Sequence, residues 1–263
     1  MKLKTIIFLL CCFVCSSIQA QADSISKRKG PFIENDTTFL YKHFSKDKDN
    51  YVAYENAYIE TNRESKFFQR ILSDYYFTFQ HGPLSNEERE YNYTIELQKK
   101  GKNLQTLKKH SLKGLANKKW IPLNRYKGKY YLDGENCKYV TWLTDSVYVH
   151  RYMDGPTPYI LQSFKKINKR HFYFRYTRGS IYPATNKYTE SLYDVELYIV
   201  DPKQKIAVTR TLEYDNHAVY YRLWIAHENA ASVDMIEYDS NNMPLRDVPY
   251  DRIDFLSLIK EIE

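Results

Sequence analysis

Glycine and cysteine are scarce in this chain, and each scarcity closes off a class of function. The eight glycines include no clustered phosphate loop, which needs glycines so that backbone N–H groups can close around a phosphate. Nucleotide cofactors are therefore not expected, and the residues signal no other cofactor. Of the four cysteines, Cys11, Cys12 and Cys15 fall within the first apolar run, leaving only Cys137 beyond it. A single thiol forms no internal disulfide, so stability has to come from a packed core. Cys137 reads as a buried or tolerated thiol rather than a nucleophile.

Long hydrophobic runs are also missing after the first few residues. Lys2 and Lys4 precede an apolar stretch from Thr5 to Cys15, followed by small and polar residues ending in Ala20-Gln21-Ala22. That order is a signal peptide, and the apolar stretch is shorter than the roughly 20 residues a spanning helix requires. Cleavage after Ala22 starts the mature chain near Asp23. The expectation is an exported protein, periplasmic or extracellular, with no transmembrane segment after cleavage. The residues before the early cysteines, Leu10, Cys11 and Val14, are poorly suited to a lipid anchor. Removing Lys2 and Lys4 lowers the formal charge from +7 to +5 (7 − 2), too mild an excess to argue for nucleic acid.

Metal and catalytic signatures are sparse. The seven histidines do not cluster. His227-Glu228-Asn229-Ala230-Ala231 begins like a zinc-protease HExxH helix, but Ala231 stands where the second imidazole is needed, so no metal is expected. His150 alternates with Tyr148 and Tyr152 and reads as a surface or rim histidine. There is no GxSxG elbow. Ser163-Phe164-Lys165-Lys166 matches SxxK only within a strand-like segment, whereas that chemistry wants a helix. Asn35-Asp36-Thr37 and Asn92-Tyr93-Thr94 match the glycosylation sequon by chance in a chain of bacterial style.

What the chain does have is tyrosine: 26 copies beside 13 Phe and 3 Trp. Tyr combines apolar area, a polar tip and β-propensity, so the surplus suits half-buried strands and also sugar stacking or an amphipathic pocket.

Four stretches are expected: a signal peptide over 1–22, a mobile leader over 23–48, a helical segment over 49–122, and a β-barrel or β-sandwich domain over 123–263 that ends in a helix. Within 49–80 the better helical half places Phe68, Ile71, Leu72, Tyr75, Tyr76 and Phe79 on one face, closed by His81-Gly82-Pro83. Ser85 and Glu88 form a capping box, whereas Tyr91, Tyr93, Ile95 and Leu97 alternate as a strand would, predicting a helical start and a strand-like end. Leu104, Leu107 and Leu115 predict a further amphipathic helix backed by Lys102, Lys109 and Lys113. From about Lys127, turn chemistry recurs at Asp133-Gly134, Thr144-Asp145-Ser146, Asp154-Gly155-Pro156, Asn168-Lys169-Arg170, Asp201-Pro202-Lys203 and Asp215-Asn216-His217. The segments between these turns predict strands near 128–132, 137–143, 147–152, 158–165, 171–177, 192–200, 205–213, 218–226 and 233–238. Phe255, Leu258, Ile259 and Ile262 predict the terminal helix.

The fold class is therefore α+β, with a mainly antiparallel meander of about eight strands that hides its edges by closing into a barrel or folding into a sandwich. By strand number, turn spacing and terminal helix, residues 125 to 262 resemble the lipocalin-type architecture. The likeness is one of architecture and transfers no functional residue.

Three arginines interrupt aromatic or apolar strands. Ile206, Val208 and Leu212 define an apolar face on which Arg210 falls, and an arginine pointing into a barrel needs a carboxylate partner or an anionic ligand. A local bulge that turns Arg210 outward is the other reading. Arg175 and Arg222 share the ambiguity. A pocket combining one of these arginines with Tyr173, Tyr221 or Trp224 is the expected ligand site. The leading expectation is an exported, non-catalytic binding protein for an amphipathic small molecule or glycan. A cell-envelope protein–protein interaction factor, acting as an assembly factor or inhibitor, is the alternative, and an envelope hydrolase with fold-assembled groups is the third.

Overall fold

The computed structural model describes residues 26–46, 52–73, 77, 79, 84–134, 139–152, 154–182, 187–240 and 248–262. The expected signal peptide, the His81-Gly82-Pro83 stop, Tyr75, Tyr76 and Cys137 lie outside them. The chain divides into two compact units, one formed by residues up to Glu60 with Ile236–Pro249, the other by Thr61–Met235 with Tyr250–Glu263.

The first unit is a meander of β1 (Ser26–Glu34), β2 (Thr37–Lys46) and β3 (Val52–Glu60). All of its pairings within the meander are antiparallel. Asn35 and Asp36 turn the first hairpin at φ 48° and 60°, the left-handed region that Asn and Asp tolerate best after glycine. The expected mobile leader over 23–48 is thus corrected to paired strand over 26–34 and 37–46. Where a helix is expected from 49 onward, Val52–Glu60 is likewise a strand, in which Tyr54, Asn56 and Tyr58 alternate with the buried Glu55 and Ala57. Period-two alternation prevails there over the helical reading.

The second unit opens with two helices. In α1 (Lys66–Leu72) the Ser65 hydroxyl accepts from the Phe68 N–H at 3.3 Å, and Phe68 and Ile71 are buried, as their spacing requires. In α2 (Asn86–Gly101) Ser85 caps the Glu88 N–H at 3.1 Å, with Glu87 and Glu88 in the first turn and Lys99 and Lys100 in the last. The Ser85 cap is present, but the strand-like end is corrected: Tyr91 to Leu97 continue the helix. A charged first and last turn suited to the helix dipole favours continuation. The lysine-backed helix after Gly101 is absent. Residues 103–118 form turns and irregular backbone, with the His110 N–H bonded to the Asp145 carbonyl at 2.7 Å. Leu115 from this segment is nevertheless buried against the barrel core.

The remaining strands are β4 (Lys119–Tyr126), β5 (Lys129–Asp133), β6 (Val140–Leu143), β7 (Val147–Tyr152), β8 (Gly155–Lys166), β9 (His171–Tyr182), β10 (Lys187–Asp201), β11 (Ile206–Glu213), β12 (Ala218–Ala226) and β13 (Asp234–Ser240). A six-residue 3-10 turn, His227–Ser232, precedes β13, and α3 (Phe255–Lys260) follows it. β6 through β12 pair sequentially, and β4 pairs with both β12 and β6. The result is a closed antiparallel barrel of eight strands. Closure leaves none of its strands as an open edge. Every strand expected after residue 127 has a counterpart. β4, which carries Trp120 and closes the barrel, straddles the expected boundary at 122/123, so its first half corrects the end of the expected helical segment to strand. Its hairpin turn at Lys127 and Gly128 is held by the Asp251 carboxylate, which accepts both backbone N–H groups at 2.9 and 2.8 Å.

Both faces of the barrel wall are apolar, for different reasons. Inside, Trp120, Leu143, Tyr148, Leu161, Phe172, Phe174, Val195, Leu197 and Trp224 pack together. Outside, Ile121, Leu123, Tyr198, Ile206, Val208, Leu223 and Ile225 are covered by Phe68 and Ile71 of α1, by Ala230, and by Ile259 and Ile262 at the C-terminal end. The terminal helix therefore packs with the stripe its sequence expects.

Candidate functional site

The interior is filled at one level and open at another. At the filled level, Leu115, Trp120, Leu143, Phe174 and Leu197 leave a residual void of only about 10 Å³. Above it, the Trp224 indole N–H donates to the Thr209 hydroxyl at 2.8 Å. These two residues border both the void and a cup of about 420 Å³. That volume lies in the range of small-molecule sites, roughly 300–1,000 Å³.

The cup is lined by the inward faces of β7, β8, β9, β10, β11 and β12, with Tyr139 just before β6. Alternation places Tyr148, His150 and Tyr152 there from β7, Tyr176 and Arg178 from β9, and Arg222 and Trp224 from β12. Tyr159, Tyr176 and Tyr193 stack across three neighbouring strands, with ring centroids 5.3 and 4.9 Å apart. Such cross-strand aromatic pairs stiffen one face of a sheet. Tyr152 and Tyr220 form exposed parts of the rim, while His150, Tyr148, Tyr159 and Tyr176 are buried.

His150 sits among these rings. Its Nδ1 is hydrogen-bonded to the Tyr139 hydroxyl at 2.7 Å, and the Tyr148 ring meets it edge-on at 4.5 Å. Burial, followed by the positive charges of Arg222 and Arg178, pushes its pKa from 6.5 down to about 3. The imidazole is therefore neutral near neutral pH. Burial likewise pushes the Tyr139, Tyr148, Tyr159 and Tyr176 hydroxyls upward, so all four are protonated.

Of the expected site residues, the structure gathers three at the cup. Trp224 and Arg222 point into it, the Arg222 guanidinium lying 4.0 Å from the Tyr139 ring centroid and 5.6 Å from that of Trp224. Tyr221 borders it, but its ring stacks on Phe255 at 5.5 Å on the outside. The other three belong to the outer wall. Arg210 donates to Glu196 at 2.6 Å. Arg175 grips Asp194 at 2.6 and 2.9 Å, and Tyr173 donates to the same carboxylate at 2.7 Å. Burial opposes ionisation of Asp194, but its bonds from Arg175, Tyr173 and Tyr214 outweigh this and hold its pKa low.

The Arg210 expectation is corrected on the face, not on the chemistry. Ile206 and Val208 do mark an apolar face, but it is the outer one, covered by helices. The inner face of β11 carries Ala207, Thr209 and Thr211, small residues opposite Trp224, Arg222 and Tyr220 in the register.

Sequence reasoning missed Arg178, Tyr139, Tyr159 and Tyr176, and it placed His150 at the surface or rim, where it is in fact buried. A signal for Arg178 existed. Along β9 one face reads Phe172, Phe174, Tyr176, Arg178 and the other His171, Tyr173, Arg175, Thr177. The first is the more apolar and so the inner one. Among the described residues the cup is lined by no Asp, Glu, Ser or Cys. It thus offers neither a glycosidase carboxylate pair nor a Ser–His or Cys–His pair. His227 bonds to the Leu72 carbonyl at 3.1 Å and meets the Phe77 ring edge at 4.8 Å. Among the described residues no helix is long and apolar enough to cross a membrane. Comparison with protein-family models, with characterised proteins and with solved structures finds no match.

Proposed function

We propose that this chain is an exported, non-catalytic binding protein that holds an amphipathic small molecule or glycan in the cup of its barrel. The observation that carries the reading is the cup itself, about 420 Å³ lined mainly by tyrosines and open at the barrel end. Rings that stack on one another across strands offer faces to a sugar or a flat apolar body, while phenol tips and Thr211 offer hydrogen bonds. An eight-stranded up-and-down barrel has an interior just wide enough for one small ligand, as in lipocalin-type proteins. Export is supported by the N-terminal order of lysines, apolar stretch and small residues up to Ala22.

The test is binding of 2-naphthaleneethanol and of neutral oligosaccharides to the protein purified after export, followed by calorimetry and by quenching of tryptophan fluorescence. Saturable binding at one site, lost when Thr211→Trp fills the cup, supports the reading. No binding of any neutral or charged amphipath counts against it. N-terminal sequencing of the exported protein is expected to begin near Asp23.

A second reading, an envelope interaction factor, draws on the exposed Tyr152, Val219 and Tyr220 at the rim, 43, 42 and 50% accessible. Co-purification with a stable partner, abolished by Tyr220→Asp, would favour it over ligand binding.

A further inference from the structure

Resting on the pocket reading above, we infer that the cup selects an anion: a carboxylate carried on a flat or ring-shaped body, gripped by Arg178 and Arg222. The barrel treats its arginines in two ways. On the outer wall each has an acid: Arg175 has Asp194, Arg210 has Glu196, and Arg151 has Glu87 at 2.9 Å. In the cup, among the described residues, neither Arg178 nor Arg222 has a carboxylate within ion-pair distance.

Their neighbours are aromatic. Arg222 is stacked over Tyr139 at 4.0 Å, and Arg178 lies 5.9 Å from the Tyr159 ring centroid. A guanidinium held by its face on a ring keeps the N–H fork at its edge available for a planar carboxylate.

Glu213 lies beside Tyr193 and Tyr220 of the lining, but it is bound by neutral donors and forms no ion pair with either arginine. Glu213 accepts from the Tyr193 hydroxyl at 2.8 Å, from the Tyr220 hydroxyl at 3.1 Å and from the Asn216 amide at 3.0 Å. The third basic group, His150, is bonded to Tyr139 and adds no charge of its own. Two guanidiniums facing one aromatic cup, with no internal acid to neutralise them, leave the site positive. A neutral ligand would leave that charge unanswered, whereas a carboxylate on a ring uses both the forks and the stacking faces.

The matched probes are 2-naphthylacetic acid and 2-naphthaleneethanol, which share a ring system and differ in charge. Calorimetry at low and at physiological salt should show the acid binding about tenfold tighter or more, an advantage that shrinks as salt rises. Arg178→Gln and Arg222→Gln should each cost the acid about tenfold and the alcohol less than twofold, with near-ultraviolet dichroism unchanged. Arg175→Gln, on the outer wall, should change neither.

The inference is overturned if the alcohol binds the unaltered protein as tightly as the acid, or if the arginine substitutions weaken both probes equally. Saturable alcohol binding would still uphold the pocket reading in those cases. Failure of both probes and of the neutral oligosaccharides to bind removes the pocket reading and the inference together.

Discussion

The indole N–H of Trp224 is satisfied by the hydroxyl of Thr209, opposite faces of one buried bond 2.8 Å long, and that bond lies where the filled part of the barrel gives way to the cup. Both residues are buried, so a donor left without its acceptor carries a desolvation cost. Thr209→Val keeps the shape and removes the acceptor. It should lower unfolding stability by about 1–3 kcal/mol in urea titrations. A change near zero would mean the indole finds another partner.

His150 sets a pH dependence whose sign follows from its depressed pKa. The unfolded chain takes up a proton near pH 6.5, while the folded chain refuses it until about pH 3. Stability present above pH 6.5 is therefore lost as pH falls through that window. The charged groups acting on the ring are Arg222 and Arg178, and the remaining neighbours are the protonated phenols of Tyr139, Tyr148, Tyr159 and Tyr176 and the ring of Tyr152. Between pH 7 and pH 5 the contribution is about 2 kcal/mol. His150→Gln should flatten the pH dependence of the unfolding free energy from urea titrations by that amount, and equal slopes in both proteins would contradict the assignment.

The outer-wall arginines should matter little to stability. Arg175 and Arg210 are each paired but 37% exposed, and solvent screens such pairs. Arg175→Ala or Arg210→Ala should cost less than about 1 kcal/mol in thermal or urea unfolding. A loss of several kcal/mol would show that the wall depends on these ion pairs.

Tyr188 occupies the space that side chains at Gly101 and Gly179 would need: a Cβ on either glycine would overlap its ring. The end of α2 and strand β9 approach through that ring. Gly179→Ala should cost about 1–3 kcal/mol by overpacking. Adding Tyr188→Leu should return part of the loss, which a double-mutant comparison of unfolding free energies would reveal.

Much of the wall could be read in advance because strand and turn signals are local. Asp201-Pro202-Lys203 and Asp215-Asn216-His217 do separate β10, β11 and β12, and Ser85 does start a helix. The site could be read only in part. Trp224 and Arg222 lie in the cup, but Arg175, Arg210 and Tyr173 alternate among rings just as persuasively and face outward. A covered outer wall is as apolar as a packed interior, so hydrophobicity along β11 picks out two faces and does not rank them. β1 escaped notice because its polar stretch Lys27-Arg28-Lys29-Gly30-Pro31 shows no sustained period, although it pairs with the neighbouring β2 across the Asn35-Asp36 turn.

By itself the sequence determined the run of short antiparallel strands, the turns between them, the terminal helix stripe and the wealth of tyrosine. These follow from backbone propensity and from periodicity over a few residues. Only the tertiary structure decided which face of each strand looks inward, that β4 closes the barrel, and that Arg178 joins Arg222 beside His150 while Arg151, Arg175 and Arg210 meet acids. Those outcomes depend on register between strands far apart in the chain, where a shift of one residue turns every side chain to the other side.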